Sequence, residues 1–240
     1  MITWLTATTV LAYLLATLLL WRDRTLRPFL LLLAGSITTL SQPIWSRLFA
    51  NAPQVPGNIV HFGEVASIPL WAMLGGGVLL ALPPLFIVYG LRHGWWNQHY
   101  LAAWGFFVSF FLFFLILEVV QARSEIRLFV RPTLPRGGRA ETLLHALLLA
   151  ATSFGLLYAF VTTRHFALQI AMLPVLFSGL AASVLLFGIL CSPLWVARLL
   201  DQPDRILLVG AAVSALLLLW AVHLLASGLH EGRHQHLQWR

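Results

Sequence analysis

About seven long apolar runs, broken by arginine, proline or tryptophan, constrain this 240-residue chain more than any other feature. A bilayer core of about 30 Å is crossed by roughly 20 apolar residues in a helix. The runs that meet or approach that length are Thr3–Trp21, Pro28–Trp45, Pro69–Leu91, Gln98–Gln121, Glu141–Thr162, His165–Leu190 and Arg205–Leu225. Hydrophobic residues make up 60% of the chain and charged residues only 10%, where a soluble domain would carry about a quarter charged. The expected fold is all-α, one polytopic transmembrane bundle of about seven helices spanning residues 1–240. The first run has no basic segment before it and no small-residue cleavage site after it, so it reads as a retained helix.

The charge pattern narrows the class. The net charge of +7 comes from arginine alone, since the chain has no lysine. The arginines punctuate apolar runs, as membrane-flanking residues do, and do not form a groove-reading face. No nucleic-acid partner is expected. A retinal Schiff base needs a buried lysine, so the chain is not a rhodopsin. The lone Cys191 sits in an apolar run and reads as a small core residue. Trp21, Trp45, Trp71, Trp95, Trp96, Tyr100 and Trp195 cluster near run ends, as interfacial belts do. Arg22, Arg24 and Arg27 in the first hairpin favour an amino terminus outside, although the two sides divide the arginines seven against eight. The expected setting is a bacterial cytoplasmic membrane, with membrane lipids as neighbours.

The polar stretch Thr39–Gly77 interrupts this regularity. It holds Gln42, Arg47, Asn58, His61, Glu64 and Ser67 together with Pro43, Pro53, Pro56 and Pro69. Irregular polar backbone at membrane depth persists where it lines a cavity or is packed inside protein, which makes this stretch the leading site candidate from sequence. Ile59–Leu91 is too long for one straight span, and Pro69 would break it. The helix therefore begins at Pro69, leaving Asn51–Ile68 as a loop or a short helix dipping into the membrane face. Gly75–Gly77 and Pro83-Pro84 predict a kink in the span that follows.

Ionisable groups inside a membrane are costly unless paired or solvated, and so point to function. His61 and Glu64 are three apart and would share a face in a helical turn. Glu118 lies near the end of the fourth run, with Gln121 three residues on; Glu141 and His145 are four apart at the start of the fifth. Aromatic and aliphatic residues precede Glu118, so dry surroundings would favour its protonated form. Such a carboxyl is a general acid for an alkene, alcohol or ether oxygen. Alternatively it pairs with Arg123 or Arg127. If the fourth and fifth helices pack antiparallel, Glu118 and the Glu141/His145 pair come from adjoining boundary regions. The spacing has neither the doubled Glu-x-x-His of di-iron bundles nor the His-Glu-x-x-His of zinc peptidases. No metal or cofactor is expected, and a single acid–base pair is favoured. No Gly-x-Ser-x-Gly occurs to suggest a serine hydrolase. The arginine-rich connection Arg123–Arg139 reads as a solvated loop, with binding of anionic lipid headgroups or a phosphorylated substrate as the functional alternative. The tail bearing His230, His234 and His236 reads as a solvated, disordered end.

Two local patterns carry a resemblance. Ser41–Trp45 reads SQPIW, and His61–Trp71 reads HFGEVASIPLW. A Gln-Pro-aromatic turn followed by this element resembles integral membrane proteins of the spirocyclase type found beside polyketide pathways. In size and helix count the chain is similar to the small seven-helix terpene cyclases of meroterpenoid pathways, which use membrane carboxylates as acids. It departs from them in lacking an early Trp-Glu dipeptide and an acidic residue inside the seventh run. Both resemblances imply acid-catalysed cyclisation or rearrangement of a hydrophobic polyketide or isoprenoid-like substrate. On that expectation Glu64, Glu118, His61, His145 and Glu141 are catalytic candidates, and Gln42, Trp45, Trp71 and Gln121 are substrate-binding candidates. The alternative class is a non-catalytic membrane subunit or assembly partner. A transporter, which needs a polar track across the bilayer, ranks last.

Overall fold

The computed structural model describes residues 2–23, 26–41, 44–45, 49, 59–62, 66–92, 99–123, 128–129, 131–134, 138–163 and 168–237. The helices are α1 (Ile2–Asp23), α2 (Arg27–Leu40), α3 (Leu70–Arg92), α4 (Tyr100–Arg123), α5 (Arg139–Thr163), α6 (Leu168–Ser183), α7 (Ser192–Leu199) and α8 (Asp204–Leu237). Five segments are long and apolar enough to cross a membrane: Leu74–Leu91, Tyr100–Ala122, Arg139–Thr163, Leu173–Leu190 and Asp204–His230. Two shorter apolar helices, Thr6–Leu18 and Pro28–Leu40, lie within α1 and α2. The chain is an integral membrane protein by this length and composition, and its helices follow the seven runs of the sequence.

Helix α5 is the axis of the bundle, packed by α4, α8, α6 and α3. Lipid is as apolar as leucine, so burial here follows close packing more than hydrophobicity. That accounts for α5, where Ala146, Ala150, Ala151, Thr152 and Ser153 are all buried. Helices α4 and α8 turn Leu101, Ile116, Leu216 and Trp220 outward, where hydrocarbon replaces protein. Helix α2 is wedged between α3 and α6. A Cβ on Gly77 would strike the Ser36 backbone, and one on Gly179 would strike the Ala34 carbonyl. With no side chain at either position the backbones touch, and Thr38 Oγ1 donates across the crossing to Gly179 O (3.1 Å).

Prolines free carbonyls, and neighbours satisfy them. Pro84 has no N–H for Leu80 O one turn back, and Ser153 Oγ of α5 donates there (2.8 Å). Helix α6 passes into a π-helical turn, Val184–Leu190. Pro193 offers no N–H to that turn, and the Trp195 indole donates to Gly188 O (2.8 Å).

Several expectations are corrected. The second span ends at Leu40, short of Trp45. Within the stretch expected to be a loop or short helix, Ile59–Phe62 (β1) pairs antiparallel with Ala66–Pro69 (β2), His61 facing Ser67 in the register. His61 is on an extended strand, so the helical face it was expected to share with Glu64 does not form; Glu64 lies outside the described residues. Helix α7 and the π-turn carry no periodic signal and were not expected. The tail is helical to Leu237, because helix formation continues into a polar segment that extends a long apolar helix.

Candidate functional site

The end of α4 and the start of α5 hold most of the buried charge. The two helices run antiparallel, which sets Glu118, near the end of one, against His145, two turns into the other. Glu118 Oε1 and His145 Nδ1 lie 2.8 Å apart, and the residues are 3% and 1% exposed. Glu141 sits a turn before His145 on the same face and is also buried.

The connection between the helices folds back over this pair. Arg131 Nε is 2.9 Å from Glu141 Oε1 and 3.8 Å from Glu118 Oε2, and its Nη2 donates to Thr142 Oγ1 (2.6 Å). The Leu134 N–H reaches Glu141 Oε2 at 3.5 Å. The Phe129 ring meets the His145 ring at 6.4 Å between centroids, steeply tilted. Gln121 Oε1 accepts the Leu128 N–H (3.2 Å). Arg198 of α7 donates to Thr133 O (2.9 Å), and Thr133 Oγ1 donates to Phe49 O (3.3 Å). Among the described residues, two carboxyls therefore face one guanidinium and one imidazole in a dry compartment, where unpaired charge is expensive. His145 Nε2 is buried with no hydrogen-bond partner among the described residues.

The arginine-rich connection is thus not wholly a solvated loop. Leu128, Phe129 and Leu134 are buried, and Arg131 turns inward. Glu118 pairs with Arg131 and His145; Arg127 and the Arg123 side chain, the partners the sequence suggested, lie outside the described residues. Arg131, Thr142 and Phe129 were missed. The available signal was Arg131 lying inside the apolar string LFVRPTL, where a solvated arginine would be out of place.

The remaining candidates lie elsewhere. Trp45 is buried, its ring stacked on Phe187 at 6.2 Å, and its Nε1 donates to Ser183 Oγ (2.7 Å) and Ser41 Oγ (3.2 Å). Those two hydroxyls bond each other. Trp71 lies in the first turn of α3, and Gln42 and Glu64 lie outside the described residues. His223, on α8, bonds Tyr100 Oη through Nδ1 (2.8 Å), far along the bundle from Glu118. Among the described residues no group of three or more His, Cys, Asp or Glu side chains is arranged to hold a metal; between the two carboxyls stands the Arg131 guanidinium.

Two lateral grooves open on the bundle, the first of them beside the cluster. One, of about 530 Å³, lies between α4, α5 and α8. The other, of about 670 Å³, lies between α3 and α4. Their walls are apolar apart from Ser109, and neither is lined by Glu118, Glu141 or His145. No protein-family model, curated protein or solved structure matches the chain.

Proposed function

We propose that this chain is a membrane-embedded enzyme of the cyclase or isomerase type, acting by acid–base catalysis on a lipid-soluble polyketide or isoprenoid-like substrate in a bacterial cytoplasmic membrane. The observation that carries the proposal is the buried Glu118–His145 pair with Nε2 left over. A carboxylate at Glu118 accepts from Nδ1–H, which fixes the imidazole and leaves Nε2 to exchange the proton. In the proposed cycle the protonated Nε2 delivers its proton to an alkene or ether oxygen. The neutral nitrogen then takes a proton from an adjoining carbon, and the product has the composition of the substrate. The Phe129 ring, beside His145, is the aromatic group placed to steady the developing cation. Arg131 and Glu141 hold the connection over the site and keep water out, and Leu128, Phe129 and Leu134 must shift to admit the substrate.

The experiment compares lipid extracts from native-host membranes carrying the wild type, Glu118→Gln or His145→Gln. Both variants should be inserted and folded, and should accumulate a precursor isomeric with the wild-type product and separable by chromatography. Wild-type lipid profiles in both variants overturn the proposal. A second reading, a non-catalytic subunit, is favoured by one observation: Arg131 and Leu134 pin the connection to the bundle as a structural staple would. It expects partner chains in fixed ratio on purification in mild detergent, and variants whose only defect is stability.

A further inference from the structure

The segment that covers Glu118 and His145 is buried without being built into the bundle. Leu128, Phe129, Pro132 and Leu134 are buried, yet 128–129 and 131–134 form neither helix nor strand. Among the described residues no backbone-to-backbone hydrogen bond holds them. Each polar tie runs through a side chain at one end or the other, so ties can break while every helix stays formed. Three ties stay within the α4–α5 hairpin that the segment joins. Leu128 N–H donates to Gln121 and Leu134 N–H to Glu141, and Arg131 Nε stands 2.9 Å from Glu141 Oε1.

Two further ties leave the hairpin, and both converge on Thr133. Arg198 Nη1 donates to Thr133 O (2.9 Å), and Thr133 Oγ1 donates to Phe49 O (3.3 Å). Arg198 is carried by α7, whose Leu194 and Ala197 are buried, so this cation belongs to the bundle and not to the segment. Just before α5 stands Gly138, exposed, with φ +82° and open space where a Cβ would be. Glycine turns through the left-handed region at no steric cost, which makes this residue a pivot. Beneath the segment His145 Nε2 is buried, without a partner among the described residues. Neither lateral groove is lined by Glu118 or His145, so a molecule reaching that nitrogen has to displace the cover.

We propose that this segment is a lid over the Glu118–His145 pair, pivoting at Gly138, and that Arg198 of α7 is the latch that keeps it shut. Its purpose rests on the acid–base reading of that pair; its mechanics rest on the contacts alone. Freeing Thr133 O leaves only the remaining ties to hold the lid, so the open fraction rises as a local opening while the helices keep their places. Carbethoxylation by diethyl pyrocarbonate reads that opening, because it takes place on an unprotonated imidazole nitrogen and the chain has no lysine to compete. With the full chain in nanodiscs and modification mapped by mass spectrometry, wild-type His145 should react slowly and the exposed His223 readily. Arg198→Met should speed His145 roughly ten- to a hundredfold, the equilibrium worth of a hydrogen bond to a charged group, and leave His223 at its wild-type rate. Thr133→Val keeps the carbonyl but removes the hydroxyl tie to Phe49, and should speed His145 by a smaller factor. Cys191 should stay inert to maleimide in both variants. A wild-type His145 that reacts as fast as His223 overturns the lid, as does wild-type protection of His145 in both variants. Wild-type protection in Arg198→Met alone overturns the latch. Should Arg198→Met expose Cys191 in step with His145, the bundle has opened as a whole and Thr133→Val decides: wild-type protection there overturns the lid. His145 exposed in Arg198→Met, with wild-type lipid profiles in Glu118→Gln and His145→Gln, keeps the lid and discards the catalytic reading. Changed lipid profiles with His145 protected in both Arg198→Met and Thr133→Val do the reverse.

Discussion

At the scale of single residues, Arg131 decides the state of the polar cluster. Among the described residues it is the guanidinium that both carboxyls face, and its side chain is 14% exposed. Removing one partner of a buried ion pair leaves uncompensated charge behind and costs about 3–5 kcal/mol. Arg131→Met should therefore destabilise the protein by that order in an unfolding titration with SDS, and adding Glu141→Gln should recover part of the loss. A loss under about 1 kcal/mol, the range of exposed pairs, would show that the guanidinium does not hold the cluster. Arg131 also shows where reading from sequence stops. Glu118, Glu141 and His145 were recognisable because an ionisable group in an apolar run has few explanations. Their junction was legible as a consequence of antiparallel neighbours. An arginine in a connection with four others looked like a boundary charge, because its partners lie on two different helices and no local spacing reveals them.

At the scale of elements, α2 depends on having no side chain at two crossings. A Cβ at Gly179 meets the Ala34 carbonyl, whereas one at Gly105 meets nothing within 4 Å. Overpacking a tight contact costs about 1–3 kcal/mol, so Gly179→Ala should lower the unfolding midpoint while Gly105→Ala leaves it unchanged. Equal effects would remove the close crossing as the reason for glycine. The spans themselves were legible because hydropathy over twenty residues averages out local detail. The β1–β2 hairpin was not, because Ile59–Pro69 mixes apolar and polar residues without a clean period. The π-turn was not legible either: Trp45 packing against Gly188, and Trp195 bonding its carbonyl, are tertiary facts with no trace in the Val184–Leu190 string.

For the whole molecule, the bundle should open as one unit, since α5 touches most of its neighbours. Cys191 reports on this. It is fully buried at the junction of α6 and α7, and a buried thiol is inert. A membrane-permeant maleimide should leave it unmodified in folded protein and modify it along the global unfolding curve. Early modification would mean that α6 and α7 separate before the rest. The central position of α5 also bears on biogenesis. Helix α5 is apolar enough to cross a membrane by itself, but Glu141 and His145 near its start are costly in lipid until they find partners. Glu118 and Arg131, which pair with them, are on the helix and connection synthesised just before. Pairing of α4 with α5 therefore satisfies these groups as soon as the two helices meet, before the later helices of the bundle are made.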